Sequence, residues 1–181
     1  ALRINGLIQK GNVSTRGQTD VLDFGLAPSY KVGIGTPTEI TLYALLQRNR
    51  DQADYGLPPV NGWPANVNRN NAYGFSDDRT LQNIMTLGAT VEHKFDKDLV
   101  LRNQTQFNYV NTNARETAPQ SVGTLSPTNT FIAAPAGGFT SAPINQLLVR
   151  QQSHDRNIFD ISLYNQTELN AKFATGPLKH D

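Results

Sequence analysis

The sequence predicts an all-β protein: about six antiparallel strands of a transmembrane β-barrel, with short periplasmic turns at one end and long extracellular loops at the other. Three observations predict it. Six segments alternate apolar with polar residues. Charge within them falls on one face. The links between them are alternately long and short.

In a strand, successive side chains point to opposite faces. From Leu2, one face carries Leu2, Ile4, Gly6 and Ile8, and the other Arg3, Asn5, Leu7 and Gln9. From Phe24 the split is sharper: Phe24, Leu26, Pro28, Tyr30, Val32 and Ile34 against Gly25, Ala27, Ser29, Lys31 and Gly33. Ile40, Leu42, Ala44 and Leu46 oppose Thr41, Tyr43, Leu45 and Gln47. Met85, Leu87, Ala89 and Val91 oppose Thr86, Gly88, Thr90 and Glu92. Leu99, Leu101, Asn103, Thr105, Phe107 and Tyr109 oppose Val100, Arg102, Gln104, Gln106 and Asn108. The last segment sets Phe159, Ile161, Leu163, Asn165, Thr167, Leu169 and Ala171 against Asp160, Ser162, Tyr164, Gln166, Glu168 and Asn170. Each segment has about 8 to 12 residues, close to the roughly 9–11 of a tilted membrane strand.

Arg3, Lys31, Glu92, Arg102, Asp160, Glu168 and Lys172 all lie on the polar faces, and the apolar faces carry charge only near their ends, at Lys10 and Arg48. Lipid imposes this, because Arg or Lys facing mid-membrane costs about 2–4 kcal/mol. A soluble sandwich segregates charge too, with its apolar face inside. The links separate the two readings better. Gly35–Glu39 and Phe95–Asp98 are short; roughly Gly11 to Asp23, Asn49 to Thr80 and Asn111 to Asn157 are long. Membrane barrels have short turns on one side and long loops on the other. Phe24, Phe95, Phe107, Tyr109, Phe159 and Phe173 suit aromatic girdles at the two interfaces.

Composition agrees. The 181 residues suffice for one ordinary domain. Charged residues are 17% of the chain, and the net charge of +1 gives no footprint for nucleic acid. Mean hydropathy is -0.45, and no apolar run approaches the ~18 residues of a membrane helix. Cysteine is absent, which counts against a disulfide-bonded secreted domain. The chain opens on what reads as mid-strand and closes on what reads as a turn, so a piece of a longer protein is expected.

Asn12-Val13-Ser14, Asn103-Gln104-Thr105 and Asn165-Gln166-Thr167 all have the form of N-glycosylation acceptors. Such acceptors belong on surface loops, and the last two are mid-strand. Their Asn and Thr fall on the apolar faces, where an unpaired polar group is costly. The fifth and sixth strands are consecutive, so Asn103 or Thr105 is expected beside Asn165 or Thr167, sharing hydrogen bonds.

Several stretches resemble the barrel of TonB-dependent siderophore receptors. They are "FGLAPSYKVGIGTPTEITLYALLQRNRDQADYGLPPVNG" (24–62), "AYGFSDDR" (72–79), "VEHKFDKDLVLRNQTQF" (91–107) and "YNQTELNAKFATGPLKH" (164–180). The first includes Asp54-Tyr55-Gly56-Leu57-Pro58, similar to a loop motif of those receptors. Order and spacing carry the match, which is nearest to the ferric-catecholate group. The resemblance implies a barrel of about twenty-two strands around a plug, in the bacterial outer membrane. Residues 1–181 would all belong to that barrel domain, with the plug and the TonB box outside this chain. It further implies a ferric siderophore as ligand, with TonB, the plug, membrane lipid and lipopolysaccharide as partners. Iron would belong to the ligand, so no cofactor is expected.

Aromatic rings and Arg stack on catechols and answer their negative charge. The second loop offers Arg50, Tyr55, Trp63, Arg69, Tyr73, Phe75 and Arg79 as ligand contacts, although Asp51, Asp54, Asp77 and Asp78 share it. In the third loop, Ser141 is placed to cap a short helix carrying Ile144, Leu147 and Leu148. Arg150, His154 and Arg156 nearby are further candidates for ligand or lipopolysaccharide. No catalysis is expected. His93, His154 and His180 are scattered, and no nucleophile or metal-ligand spacing completes a site. Two other classes fit the same pattern: a porin-like channel, which would conduct without TonB, and a soluble β-rich binding domain, which would bury the apolar faces.

Overall fold

The computed structural model describes residues 1–17 and 19–180. In chain order its elements are β1 (Leu2–Asn12), β2 (Asp20–Val32), β3 (Thr38–Asp51), β4 (Pro59–Val60), β5 (Trp63–Pro64), β6 (Arg79–Lys94), β7 (Leu99–Leu125), β8 (Phe131–Ala133), a 3₁₀ turn (Ile144–Gln146), β9 (Leu148–Ala171), β10 (Phe173–Thr175) and β11 (Leu178–His180). Seven strands form one sheet in the order β1-β2-β3-β6-β7, with β8 and β9 both pairing with β7. Every pairing is antiparallel. The six strands expected from sequence are β1, β2, β3, β6, β7 and β9.

The register aligns one apolar face across the whole sheet. Ile4, Pro28, Ala44, Leu87, Phe107 and Leu163 share a row, since each is paired with the next or lies between paired residues. Among the described residues no second layer covers this face. Only Pro58, Ala65, Ala114 and Val122 among them are buried apolar side chains, whereas Leu26 is 46%, Leu87 45% and Leu163 72% exposed. A sandwich would have buried these residues. A single sheet this exposed is stable only with another solvent on that side, and hydrocarbon is the one its composition matches.

The opposite face is polar and internally bonded. The Tyr43 hydroxyl donates to Gln106 Oε1 (3.1 Å) and accepts from Gln104 Nε2 (3.1 Å). Its ring lies over Gly88, where a Cβ would come within 2.1 Å of Tyr43 Cζ; only glycine admits the ring there. Asn108 accepts from Thr86 Oγ1 (2.9 Å) and donates to Ser162 (3.1 Å).

The lower turns are tight for local reasons. Gly33 has φ +72°, and a Cβ there would sit 2.0 Å from the Thr38 carbonyl oxygen. Thr36 closes the turn, its hydroxyl donating to the Gly33 carbonyl at 2.7 Å. Lys31 and Glu39 pair across it at 2.5 Å. The Lys31 hydrogen bond, ahead of the one from the Gly35 amide, holds the Glu39 carboxyl below its ordinary range. The β6–β7 turn closes through Phe95 N–H to the Leu99 carbonyl (3.0 Å).

The paired triplets sit as expected. Asn103 is opposite Thr167, and Thr105 opposite Asn165. Asn103 Nδ2 donates to Thr167 Oγ1 (2.8 Å) and Asn165 Oδ1 (3.2 Å); Asn165 Nδ2 donates to Thr105 Oγ1 (2.7 Å) and Asn103 Oδ1 (3.2 Å). The four side chains satisfy one another on the apolar face, which removes most of the penalty for placing them there.

Two expectations need correction. The six long strands run from 11 residues in β1 to 27 in β7, and all but β1 exceed the predicted range. The link expected from Asn111 to Asn157 is mostly strand, because β7 and β9 stay paired up to Gly123 and Leu148. Above the membrane both faces meet water, so pairing continues where apolar alternation stops. The second correction is the helix: the 3₁₀ turn has Pro143 at its N-cap and no side-chain cap, so Ser141 does not cap it. The aromatic girdles are there in part. Phe24 and Phe159 lie in the row above the belt and Phe95 beside the lower turn, but Phe107 lies mid-belt opposite Leu87 and Leu163.

Candidate functional site

The strand tops carry three loops, residues 13–19, 52–78 and 126–147, and side chains tie them together. The second loop is held at its start by Arg16 of the first, whose Nε pairs with Asp54 Oδ2 at 3.1 Å. Asp54 also accepts from the Gly56 amide at 3.0 Å, so it fixes the backbone on both sides of Tyr55. Farther along, the Gly17 amide donates to Asn70 Oδ1 at 2.7 Å.

The loop's end is fastened by Asp78, which is 6% exposed. Its carboxylate accepts from the amides of Phe75 (2.9 Å) and Thr117 (3.1 Å) and from the Thr117 hydroxyl (2.9 Å). Thr117 is 2% exposed. A second node lies on Glu116, which accepts from Thr80 Oγ1 (2.8 Å), Tyr55 Oη (2.8 Å) and Arg156 (3.1 Å). Thr80's hydrogen bond, followed by those of Tyr55 and the charge of Arg156, holds the Glu116 carboxyl below its usual range, against the opposing effect of burial. Burial, then the bond to Glu116, pushes the Tyr55 phenol up. Tyr55 therefore stays a neutral donor through physiological pH.

The tip of the second loop is a small hairpin, β4–β5, turned by Asn61 and Gly62 with φ of 52° and 79°. It docks on the third loop: the Asn61 and Gly62 amides donate to the carbonyls of Gly138 (3.1 Å) and Gly137 (2.8 Å). Asn61 Oδ1 accepts from the Thr140 amide at 2.8 Å.

Between these anchors lies a cleft of about 280 Å³, lined by Thr19, Gln52, Asp54, Tyr55, Tyr73 and Phe75 among others. Three of the seven residues offered by sequence thus come together: Tyr55, Tyr73 and Phe75. The other four lie elsewhere. Arg50 is on the outward face of β3 opposite Leu22 and Leu81. Trp63 is 77% exposed on the hairpin, and Arg69 is exposed in a turn. Arg79 opens β6 and donates to the Asp77 carbonyl at 3.3 Å. Sequence reading did not find Arg16, Glu116 and Thr117, since their partners are 36 to 61 positions away. Of the third-loop candidates, Arg156 is engaged by Glu116, and His154 is opposite Glu116 in the ladder.

Chemically the cleft offers aromatic faces, a phenol and backbone groups. Among the described residues no three His, Cys, Asp or Glu are grouped to hold a metal ion. His93 bonds Thr38 at 2.7 Å and His180 bonds Thr175 at 2.7 Å, far apart in the fold.

No protein-family model matches the chain. In sequence it is 24% identical to the catecholate siderophore receptor Fiu of Escherichia coli K12, over all of this chain and 24% of that protein. The Fiu of E. coli O157:H7 is 23% identical over the same extent. The chain thus spans about a quarter of the length of these relatives. In fold it superposes on crystal structures of the ferric-catecholate import receptor Fiu, closed and open, with TM-scores of 0.78 and 0.79 at 22% identity. These matches cover 97% of this chain and 25% and 27% of theirs. The siderophore receptor PiuA of Acinetobacter baumannii gives 0.77 at 22% identity, covering 98% of this chain and 24% of its own. The chain is a length of antiparallel β-barrel wall that resembles, in sequence and in fold, siderophore receptors such as Fiu and PiuA.

Proposed function

We propose that this segment is part of a receptor that binds a ferric siderophore, of catecholate type, and imports it in a TonB-dependent way. All of residues 1–181 belong to the barrel domain in this reading. The plug and the TonB contact come from the rest of the protein, and iron enters only within the ligand. The observation that carries it is the aromatic cleft of Tyr55, Tyr73 and Phe75, built on strand extensions that rise above an apolar belt. Catechol rings stack on such side chains, and the Tyr55 phenol, its proton given to Glu116, presents its oxygen as an acceptor for a catechol hydroxyl.

The test is titration of the full-length protein in detergent with a ferric tris-catecholate complex, followed by protein fluorescence. Saturable binding is expected, weakened about tenfold by Phe75→Ala, a loss of one stacked ring of about 1.4 kcal/mol. Uptake by cells is expected to stop without TonB. Absence of saturable binding, together with TonB-independent conductance in a planar bilayer, would identify a channel instead.

A further inference from the structure

The second and third loops meet at a contact made mostly of backbone. The β4–β5 hairpin pairs only Pro59 with Pro64 and Val60 with Trp63. Proline has no N–H to give a ladder, so the hairpin holds itself weakly. The third loop supplies what is missing. The Gly138 and Gly137 carbonyls accept from the Asn61 and Gly62 amides at 3.1 and 2.8 Å, and the Thr140 amide donates to Asn61 Oδ1 at 2.8 Å. Gly138 lies so close to the hairpin that a Cβ there would come within 2.1 Å of the Pro59 carbonyl oxygen. Asn61 and Gly62 are nevertheless exposed to water.

In an Asn-Gly pair the asparagine side chain is open to attack by its own backbone. The nucleophile is the amide nitrogen of the following residue, and glycine puts no side chain in its way. Hydroxide takes the Gly62 amide proton, the nitrogen bonds to Asn61 Cγ, and Nδ2 leaves as ammonia with a proton from water. Water then opens the resulting cyclic imide at either carbonyl. The net change is gain of water and loss of ammonia, with nothing oxidised or reduced. Opening at one carbonyl leaves aspartate. Opening at the other leaves isoaspartate, whose chain runs through the former side chain and is longer by a methylene.

Docking restrains both reacting groups. The Gly62 N–H is committed to the Gly137 carbonyl, and Asn61 Oδ1 to the Thr140 amide. We infer that Asn61-Gly62 is a self-modification site: when the hairpin leaves the third loop, Asn61 converts to isoaspartate, and the hairpin can no longer dock. The lengthened turn cannot set both amides on Gly138 and Gly137. Aspartate keeps the backbone and an oxygen for the Thr140 amide, so it docks as asparagine does. The chain carries its own control in Asn5-Gly6. That pair lies within β1, Asn5 opposite Ala27 and Gly6 opposite Leu26, and Asn5 Nδ2 donates to the Ala27 carbonyl at 3.3 Å. A paired, extended backbone blocks the same chemistry there. The inference does not depend on what the loop cleft binds.

The test ages the full-length protein in detergent at mildly alkaline pH and maps its peptides by mass spectrometry, with electron-transfer fragmentation to tell isoaspartate from aspartate. A synthetic peptide spanning 57–67 gives the unrestrained rate. Three hydrogen bonds must open, so Asn61 is expected to convert about a hundredfold more slowly than in the peptide. Asn5 is expected to stay intact over the same time. Gly138→Ala, which cannot dock against Pro59, is expected to speed conversion of Asn61 about tenfold. If that variant does not fold, Phe139→Ala, which removes the ring beside Gly62, is expected to speed it about threefold. Hydrogen exchange at Gly62 and Thr140 is expected to rise in the isoaspartate fraction and to stay slow in Asn61→Asp. Conversion of Asn61 no faster than that of Asn5 would overturn the site. A rate equal to the peptide's, or one unmoved by the folded loop variants, would overturn docking as its control. Isoaspartate that leaves Gly62 and Thr140 protected would overturn the undocking.

Discussion

Leu163→Arg is expected to destabilise the membrane-inserted protein by about 2–4 kcal/mol, the cost of a cation facing the hydrocarbon near mid-depth. Leu163 is 72% exposed, yet this exposure is to lipid. Its row holds Phe107, Leu87, Ala44, Pro28 and Ile4, with one wholly apolar row above and mostly apolar rows below. The neighbouring Tyr164 faces the polar side, opposite Gln106. Tyr164→Arg is therefore expected to cost less than about 1 kcal/mol, because the lumen tolerates charge. Urea titration of the full-length protein folded into lipid vesicles measures both. Similar costs for the two substitutions would contradict the assignment of faces.

Asp78→Ala is expected to release the second loop at its end. The substitution leaves the Phe75 and Thr117 amides and the Thr117 hydroxyl without their acceptor, in a place water reaches poorly. Each unsatisfied buried donor costs about 1–3 kcal/mol. A local loss of about 3 kcal/mol raises amide exchange at Phe75 and Thr117 about a hundredfold. Asp78→Asn keeps one oxygen acceptor and is expected to fall between. Hydrogen exchange of the full-length protein reads this directly, and unchanged rates in Asp78→Ala would remove Asp78 as the anchor. Since Phe75 lines the cleft, ligand binding is expected to weaken along with the anchor.

The membrane-embedded part of the fold was legible because lipid writes a strict rule into sequence. Leu26, Leu87 and Leu163 alternate with polar residues since one face meets hydrocarbon and the other does not. The same rule made it readable that Asn103 or Thr105 lies beside Asn165 or Thr167, as four polar groups on the wrong face require one another; the register pairs Asn103 with Thr167 and Thr105 with Asn165. Above the membrane the rule lapses. Asn111, Asn113 and Arg115 are strand residues with no apolar partner pattern, so β7 and β9 run farther than alternation shows. Asn61-Gly62 did carry a usable local signal, since both residues of a two-residue hairpin turn adopt positive φ and Asn-Gly favours that. The cleft was only partly legible. Tyr55, Tyr73 and Phe75 could be picked by chemistry, but Asp78 with Thr117 and Tyr55 with Glu116 join positions 39 and 61 apart. Nothing periodic marks such pairs.

The central claim is that the apolar strand faces meet acyl chains. The chain has no cysteine, so single thiols can be introduced along β9 from Phe159 to Leu169 and spin-labelled in the full-length protein folded into lipid vesicles. The account predicts a period-two pattern in collision rates. Labels at Ile161, Leu163 and Leu169 should collide with dissolved oxygen and be shielded from a water-soluble nickel complex, whereas those at Asp160, Ser162 and Tyr164 should show the reverse preference. Labels at Ile161, Leu163 and Leu169 immobilised and shielded from both reagents would mean that protein covers this face, and would contradict it.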